Sequence, residues 1–186
     1  MFLRAFAVLL LVSALMGSPA QAKDWVVDPA SSKLTLTFQQ GQTPVTASFE
    51  RFATNVRFDP AFLADALVEV KVDLTSFTSG DAQRDAQAQG ADFLDAGGAA
   101  EAVYRATTFE PLGGDRYKVA AELALKGVTR QIVHEATIKV DGDRAYAEGT
   151  VPVTRTDFGV GTGQFATGSL VGLDVNVAFV IDAKAG

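Results

Sequence analysis

Residues 117–140 read Y-K-V-A-A-E-L-A-L-K-G-V-T-R-Q-I-V-H-E-A-T-I-K-V, two amphipathic runs hinged at one glycine. In the first run Tyr117, Val119, Ala121, Leu123 and Leu125 alternate with Lys118, Glu122 and Lys126, the period of two of a half-buried strand. In the second, Val128, Ile132, His134, Ala136, Ile138 and Val140 share a parity. Thr129, Gln131, Glu135, Thr137 and Lys139 take the other, and only Arg130 and Val133 interrupt the pattern. Gly127 sits where the chain must reverse or bend sharply, and glycine tolerates the positive φ that such a bend needs. Two long strands joined this tightly form an antiparallel pair with one wet and one dry face, so the fold must cover the dry one.

The same grammar runs through the rest of the chain. After a turn at Pro29 and Ser31-Ser32, Leu34, Leu36 and Phe38 alternate with Lys33, Thr35 and Thr37. A further turn covers 41–44. Val45, Ala47 and Phe49 then share one parity, and Phe52, Thr54, Val56 and Phe58 the other. Phe49 and Phe52 can both stay inside only if a long strand bulges near Glu50-Arg51. A helical turn begins at Asp59-Pro60, and Val68, Val70, Val72 and Leu74 follow as a strand. Strands are expected over 102–109, 145–153 and 172–183, with hairpin turns at Gly113-Gly114-Asp115 and Asp141-Gly142-Asp143. Residues 78–89 carry no apolar face beyond alanines, and 81–95 reads as a short helix or two laid over one end of the sheet. About eight antiparallel strands make an all-β chain, either a two-sheet sandwich or a closed barrel able to hold one small ligand.

The N-terminus belongs to none of this. Arg4, the apolar stretch 5–16 and Ala20-Gln21-Ala22 have the order of a signal peptide over 1–22, cut before Lys23 to leave one exported, periplasmic domain over 23–186. The apolar stretch is well short of the ~20 residues of a spanning helix. The whole chain carries 16 Lys and Arg against 22 Asp and Glu, and loss of Arg4 makes it one charge more negative. An acidic domain of this kind suits neither nucleic acid nor an anionic membrane surface. The absence of cysteine excludes disulfides, thiolate zinc, iron–sulfur clusters and a thioether-linked haem, so no covalent cofactor is expected.

Catalytic machinery is hard to assemble from these residues. The single histidine, His134, falls in mid-strand on the dry face, which suits a core histidine with one hydrogen bond, or a polar contact to a ligand head group, better than a base. Metal binding would be left to carboxylates, and the pairs Asp92/Asp95 and Asp141/Asp143 fall in turns, where solvated charge explains them. No metal site and no enzyme activity are expected. Residues 158–164, F-G-V-G-T-G-Q, lack the spacing, the lysine and the βαβ setting of a phosphate loop and read as a glycine-rich bend. Arg155 and Asp157 before it read as a structural pair, with each other or with the end of the sheet. Of the 13 phenylalanines only Phe2 and Phe6 lie in the leader, and Phe38, Phe49, Phe52, Phe58, Phe109 and Phe179 fall on dry faces. Each contributes ~2 kcal/mol when buried, and periodicity alone does not separate a filled barrel from a hollow one.

Five motifs in order carry a resemblance: Trp25-x-x-Asp28-Pro29; Phe49-x-x-Phe52 with Val56-x-Phe58-Asp59; Arg84-Asp85 ahead of Asp92-Phe93; 125–130, L-K-G-V-T-R; and 155–159, R-T-D-F-G. Over residues 25–183 the chain resembles the YceI-like, polyisoprenoid-binding proteins. The Leu-Lys-Gly and Phe-Gly-Val-Gly wording is similar to the branch associated with cytochrome b561-type membrane proteins. The resemblance implies an extended eight-stranded antiparallel, lipocalin-like barrel with a short helical insert. It also implies a lumen that holds an isoprenoid lipid or isoprenoid quinone, in a carrier, store or sensor that is monomeric or homodimeric. On it, the ligand-binding wall comprises Phe38, Phe49, Phe52, Phe58, Val70, Val72, Phe93, Tyr104, Leu123, Ile132, His134, Val177 and Phe179, with 76–95 as lid. The branch resemblance implies an alternative, a module that docks on a membrane cytochrome in electron transfer or stress response. The chain departs from the family pattern in the insert, where Gln87, Gln89 and Gly90 stand at the place of the usual polar anchor and no proline precedes the next strand.

Overall fold

In a computed structural model, residues 22–186 are described; the leader expected over 1–22 lies outside them apart from Ala22. Eleven strands form one sheet: β1 Asp24–Val27, β2 Lys33–Gln40, β3 Thr43–Phe49, β4 Phe52–Arg57, β5 Leu67–Asp73, β6 Phe77–Thr78, β7 Glu101–Gly113, β8 Arg116–Leu125, β9 Val128–Asp141, β10 Arg144–Thr154 and β11 Asp174–Ala185. Among the described residues one α-helix, α1 Ala82–Gln89, lies between β6 and β7.

Three pairs of strands are single staves interrupted by a kink. β11 pairs along its first half with β2 and at its end with β1, so β1 and β2 lie end to end. β3 and β4 do the same, β3 against β2 and β6, β4 against β1 and β5, and β5 and β6 are the third pair, β5 against β4 and β7 and β6 against β3. The break at Glu50-Arg51 is the bulge that the parity switch between Phe49 and Phe52 requires. Serines bond the backbone groups that the kinks free. Ser32 Oγ accepts from the Asp182 amide at 3.1 Å, and Ser76 Oγ accepts from the Arg51 amide at 3.0 Å while donating to the Asp73 carbonyl at 2.6 Å. Counted as staves, the sheet is an eight-stranded antiparallel barrel, closed where β11 meets β1 and β2.

Cross-strand partners fix which side chains face inward. Leu36 stands opposite Ala47 and Val177, and Val177 opposite Val151; Tyr104 stands opposite Val70 and Leu123. Lys126 and Gly127, with φ of +50° and +75°, make the two-residue hairpin between β8 and β9, the left-handed pair a type I′ turn needs. One ladder is short. β9 pairs with β10 only from Ala136↔Gly149 to Asp141↔Arg144, so residues 128–135 have no strand partner on that side.

The base of the barrel is closed by aromatic packing. Trp25, Phe58, Phe109, Tyr117 and Val119 are buried there, with the Phe58 ring edge-on to Phe109 at 5.3 Å and to Tyr117 at 5.4 Å. The Trp25 indole satisfies its N–H on the Phe58 carbonyl at 2.8 Å. Ala106, Ala121 and Ala136 keep the facing stave positions small, and this is what lets four large rings share one end.

Candidate functional site

Above that base the inner wall changes character. Leu34, Leu36, Val45, Ala47 and Val151 are buried, while Phe38, Phe49, Phe52, Val70, Val72, Tyr104, Leu123, Ile132, Val177 and Phe179 are half-buried although they face inward. Full burial such as that of Ala106 at 0% and Val119 at 2% exposure is confined to part of the base, where Val56, Val68, Ile138 and Val140 are half-buried as well. Within the base itself an apolar cavity of about 40 Å³ remains between Trp25, Val56, Phe58, Ala147, Ile181 and Ala183.

The boundary between packed base and half-buried wall is an aromatic layer. Tyr104 from β7, His134 from β9 and Phe179 from β11 meet there, the His134 ring 5.9 Å from each of the other two centroids. Gly149 on β10 makes the layer possible, since a Cβ there would stand 2.7 Å from Phe179 Cζ. His134 Nδ1 lies 3.1 Å from the Glu135 carbonyl and must donate to it. In the neutral ring Nε2 is then an acceptor, and the Tyr104 hydroxyl donates to it at 2.8 Å. Burial lowers the His134 pKa below its usual 6.5 and raises the Tyr104 phenol, so both stay uncharged at neutral pH. With both ring nitrogens engaged, His134 is a satisfied polar mark on an apolar wall. No cluster of three or more metal-binding side chains occurs among the described residues.

The opposite end is covered by two loops laced together. Asp81 caps α1 by accepting from the amides of Gln83 and Arg84, and Asp85 accepts from the Ser79 amide and hydroxyl. Gln89 Nε2 donates to the carbonyls of Thr75 and Phe77 at 3.2 Å each, so a glutamine does supply a polar anchor for the insert. Beyond the helix, the Asp92 carbonyl accepts from the amides of Gly161 and Thr162, and Lys126 Nζ bridges the carbonyls of Ala91 and Gly159. Phe93 is buried between these loops with Phe158 and Val160, its ring 4.8 Å from Phe165.

Arg155 holds the second loop together. It is 4% exposed and donates to the carbonyls of Val160, Gly161, Phe165, Val171 and Gly172. Of the two expected partners, Asp157 and the end of the sheet, the second is realised: Asp157 is exposed, and the guanidinium fork is spent on backbone carbonyls at the barrel's end. Sequence reasoning had no signal for the individual partners, because the acceptors are carbonyls that every residue carries.

Of the residues named from the resemblance, eleven face the interior between base and loops or form the aromatic layer that divides them: Phe38, Phe49, Phe52, Val70, Val72, Tyr104, Leu123, Ile132, His134, Val177 and Phe179. Phe58 lies in the packed base, and Phe93 lies in the covering loops. The notable inward position that was not named is Arg130, opposite Leu123; its signal was the break in the β9 alternation.

A closed antiparallel barrel with a packed base, an apolar inner wall and a loop-covered end has the lipocalin-like architecture. The chain belongs to the YceI-like domain family, whose model matches residues 25–183. A UPF0312 protein of Vibrio parahaemolyticus is 32% identical over 164 residues, covering 83% of this chain and 87% of the relative. A UPF0312 protein of Pseudomonas fluorescens is 32% identical over 174 residues, covering 86% and 88%. Among solved structures, Burkholderia cenocepacia BcnA superposes with a TM-score of 0.82 at 31% identity, over 86% of this chain and all of that one. A polyisoprenoid-binding domain from Saccharophagus degradans shares the fold with a TM-score of 0.71 at 17% identity, over 90% of this chain and 100% of that one.

Proposed function

We propose that this protein holds the long apolar tail of an isoprenoid lipid or isoprenoid quinone inside the barrel and serves, without catalysis, as a periplasmic carrier, store or sensor. The observation that carries this reading is the half-buried apolar wall between Phe38, Val70, Leu123 and Val177, in a barrel whose base is packed. An interior with unspent apolar surface favours a guest that is itself apolar. A tail of ~40 carbons at ~0.3 kcal/mol per atom approaches ~12 kcal/mol, so tight binding needs few polar contacts. The Saccharophagus degradans domain of the same fold, described as polyisoprenoid-binding, supports the ligand class. Periplasmic location rests on the leader sequence.

Protein purified from its native compartment, extracted with organic solvent and analysed by mass spectrometry, is expected to yield a prenyl lipid, and the intact mass is expected to begin at Lys23. Recovery of protein that repeatedly carries no lipid and takes up none from a prenyl-alcohol dispersion would refute the reading. Docking on a membrane cytochrome draws no support from the residues that suggested it. Lys126-Gly127 form a hairpin turn, and Gly161 packs against Arg155, so both phrases have structural reasons to exist.

A further inference from the structure

We infer that the seam between β9 and β10 is a side portal and that Arg130 binds there the anionic head group, a phosphate or a carboxylate, of the amphiphile whose tail occupies the lumen. The inference rests on the tail-binding reading and adds a head-group class and a place.

The seam is built into the strands. Leu125 and Val128 flank the two-residue turn and form a hydrogen-bonded pair, so Thr129, Gln131, Val133 and Glu135 point their amides and carbonyls away from β8. Those groups face β10, and the β10 ladder stops at Ala136↔Gly149 before reaching them. On the other lip, Arg144 flanks its own two-residue turn, and counting in twos brings the amide position of Pro152 to face β9. Proline has no N–H to donate and is tolerated in a strand where no ladder is made, which makes the open seam a property of the sequence. Both ends of the seam are shut: below by the Ala136↔Gly149 pair, above by Val128 and Val153, which pack against the cluster of Phe93, Phe158 and Val160.

Side chains finish the lip on β9. His134 Nδ1 donates to the Glu135 carbonyl, and Arg130 Nη1 donates to the Thr129 carbonyl at 3.3 Å. Arg130 is the one charged residue at an inward-facing strand position among the described residues, set between Val128 and Ile132, yet it is exposed. Its inward parity and its exposure are compatible because the seam beside it is open. No carboxylate lies within 4 Å of its guanidinium among the described residues, whereas Arg51, Arg57, Arg105, Arg116 and Arg144 all have acidic partners. A guanidinium with a weak neutral contact, at the edge of an apolar lumen, is matched by an oxyanion that enters with a greasy tail.

The test compares a long-chain prenyl monophosphate with the prenyl alcohol of the same length, on the mature protein and on Arg130→Gln and Arg130→Lys. The wild type is expected to bind the phosphate about tenfold tighter than the alcohol, a typical gain for one charge-assisted contact. Arg130→Gln is expected to erase that difference and leave alcohol binding unchanged, with Arg130→Lys between the two. Inorganic phosphate alone is expected to give no saturable signal; saturable binding would make this an anion site independent of the tail and overturn the inference. Equal binding of phosphate and alcohol by the wild type, or a preference that survives Arg130→Gln, would also overturn it while leaving tail binding in place. Failure of both lipids to bind the wild type would instead overturn the tail-binding reading beneath it.

Discussion

Tyr104 Oη stands 2.8 Å from His134 Nε2, and the hydrogen bond between them neutralises the polar side chains of the aromatic layer. The two residues come from β7 and β9, on either side of β8, so the contact spans a stave of the barrel wall. Since His134 Nδ1 is committed to the Glu135 carbonyl, the phenol donates and the imidazole accepts. A hydrocarbon lying on this layer meets no unsatisfied donor.

The pair should behave as a unit under mutation. Tyr104→Phe leaves His134 Nε2 without a partner and is expected to cost roughly 1–3 kcal/mol, the penalty of an orphaned buried group. His134→Leu leaves the Tyr104 hydroxyl in the same position and is expected to keep the fold and leave tail binding intact or stronger. The double variant removes both polar groups and should be more stable than the sum of the single losses implies. Urea denaturation of the four proteins gives the coupling energy, and simple additivity would show that the bond is not made.

Stability should also respond to pH through His134. Burial lowers its pKa in the folded protein, so the native state favours the neutral ring. Above 6.5, the unfolded value, both states are neutral and the contribution is whole. As pH falls through 6.5 the unfolded chain takes up a proton that the native chain refuses. Stability therefore declines until the lower folded value is passed, then levels. Asp73, held low by the Thr75 hydroxyl and Arg51, and Asp85, held low by Ser79, add stability that is lost as pH falls beneath 3.8. Urea midpoints measured at stepped pH should show the upper decline in the wild type and a flat line there in His134→Leu.

The staves were legible because one face of each is dry and the other wet, and the shift of parity between Phe49 and Phe52 even located a kink. β1 was not read as a strand: four residues ending at Asp28-Pro29 carry too short a period, and its pairing with β4 and β11 is entirely non-local. The structural role of Arg155 was legible but its partners were not, since a fork that binds five carbonyls has no partner residue type to search for. The β9–β10 seam lies deepest, because alternation records which face a side chain takes and not whether the neighbouring edge is occupied. Only Pro152 and the out-of-pattern Arg130 mark it.

The loop over 159–172 should fail selectively when Arg155 is disturbed. A Cβ at Gly161 would stand 2.1 Å from Arg155 Nη1, and the residue has φ of +81°. Gly161→Ala is therefore expected to displace the guanidinium and cost roughly 2 kcal/mol or more, from strain plus lost carbonyl contacts. Gly163 has φ of +58° with nothing within 4 Å of a Cβ, so Gly163→Ala should cost only about 1 kcal/mol. Hydrogen exchange should speed up over 159–172 and at Phe93 in Gly161→Ala, while β8 and β11 keep their protection. Uniform loss across the barrel would show that this loop is not a separate unit of stability.

Filling the interior distinguishes a lumen from a core by opposite signs. Val177 faces inward, opposite Leu36 and Val151, and is half-buried; Ala121 faces inward in the base at 3% exposure. In close-packed surroundings a large insertion forces neighbours off their rotamers, typically costing about 1–3 kcal/mol and more for a ring. Ala121→Trp should show that loss in full, since Ala106 and Ile132 flank it across the strands. Val177→Trp has unspent apolar surface to cover and should move the urea midpoint little or upward. The same indole occupies the space a tail would use, so binding of a prenyl alcohol should weaken by about tenfold or more, on the order of 1.4 kcal/mol. Equal destabilisation by both tryptophans, with lipid binding unaffected by the one at position 177, would mean that the wall from Phe38 to Phe179 is ordinary core and that any ligand sits elsewhere.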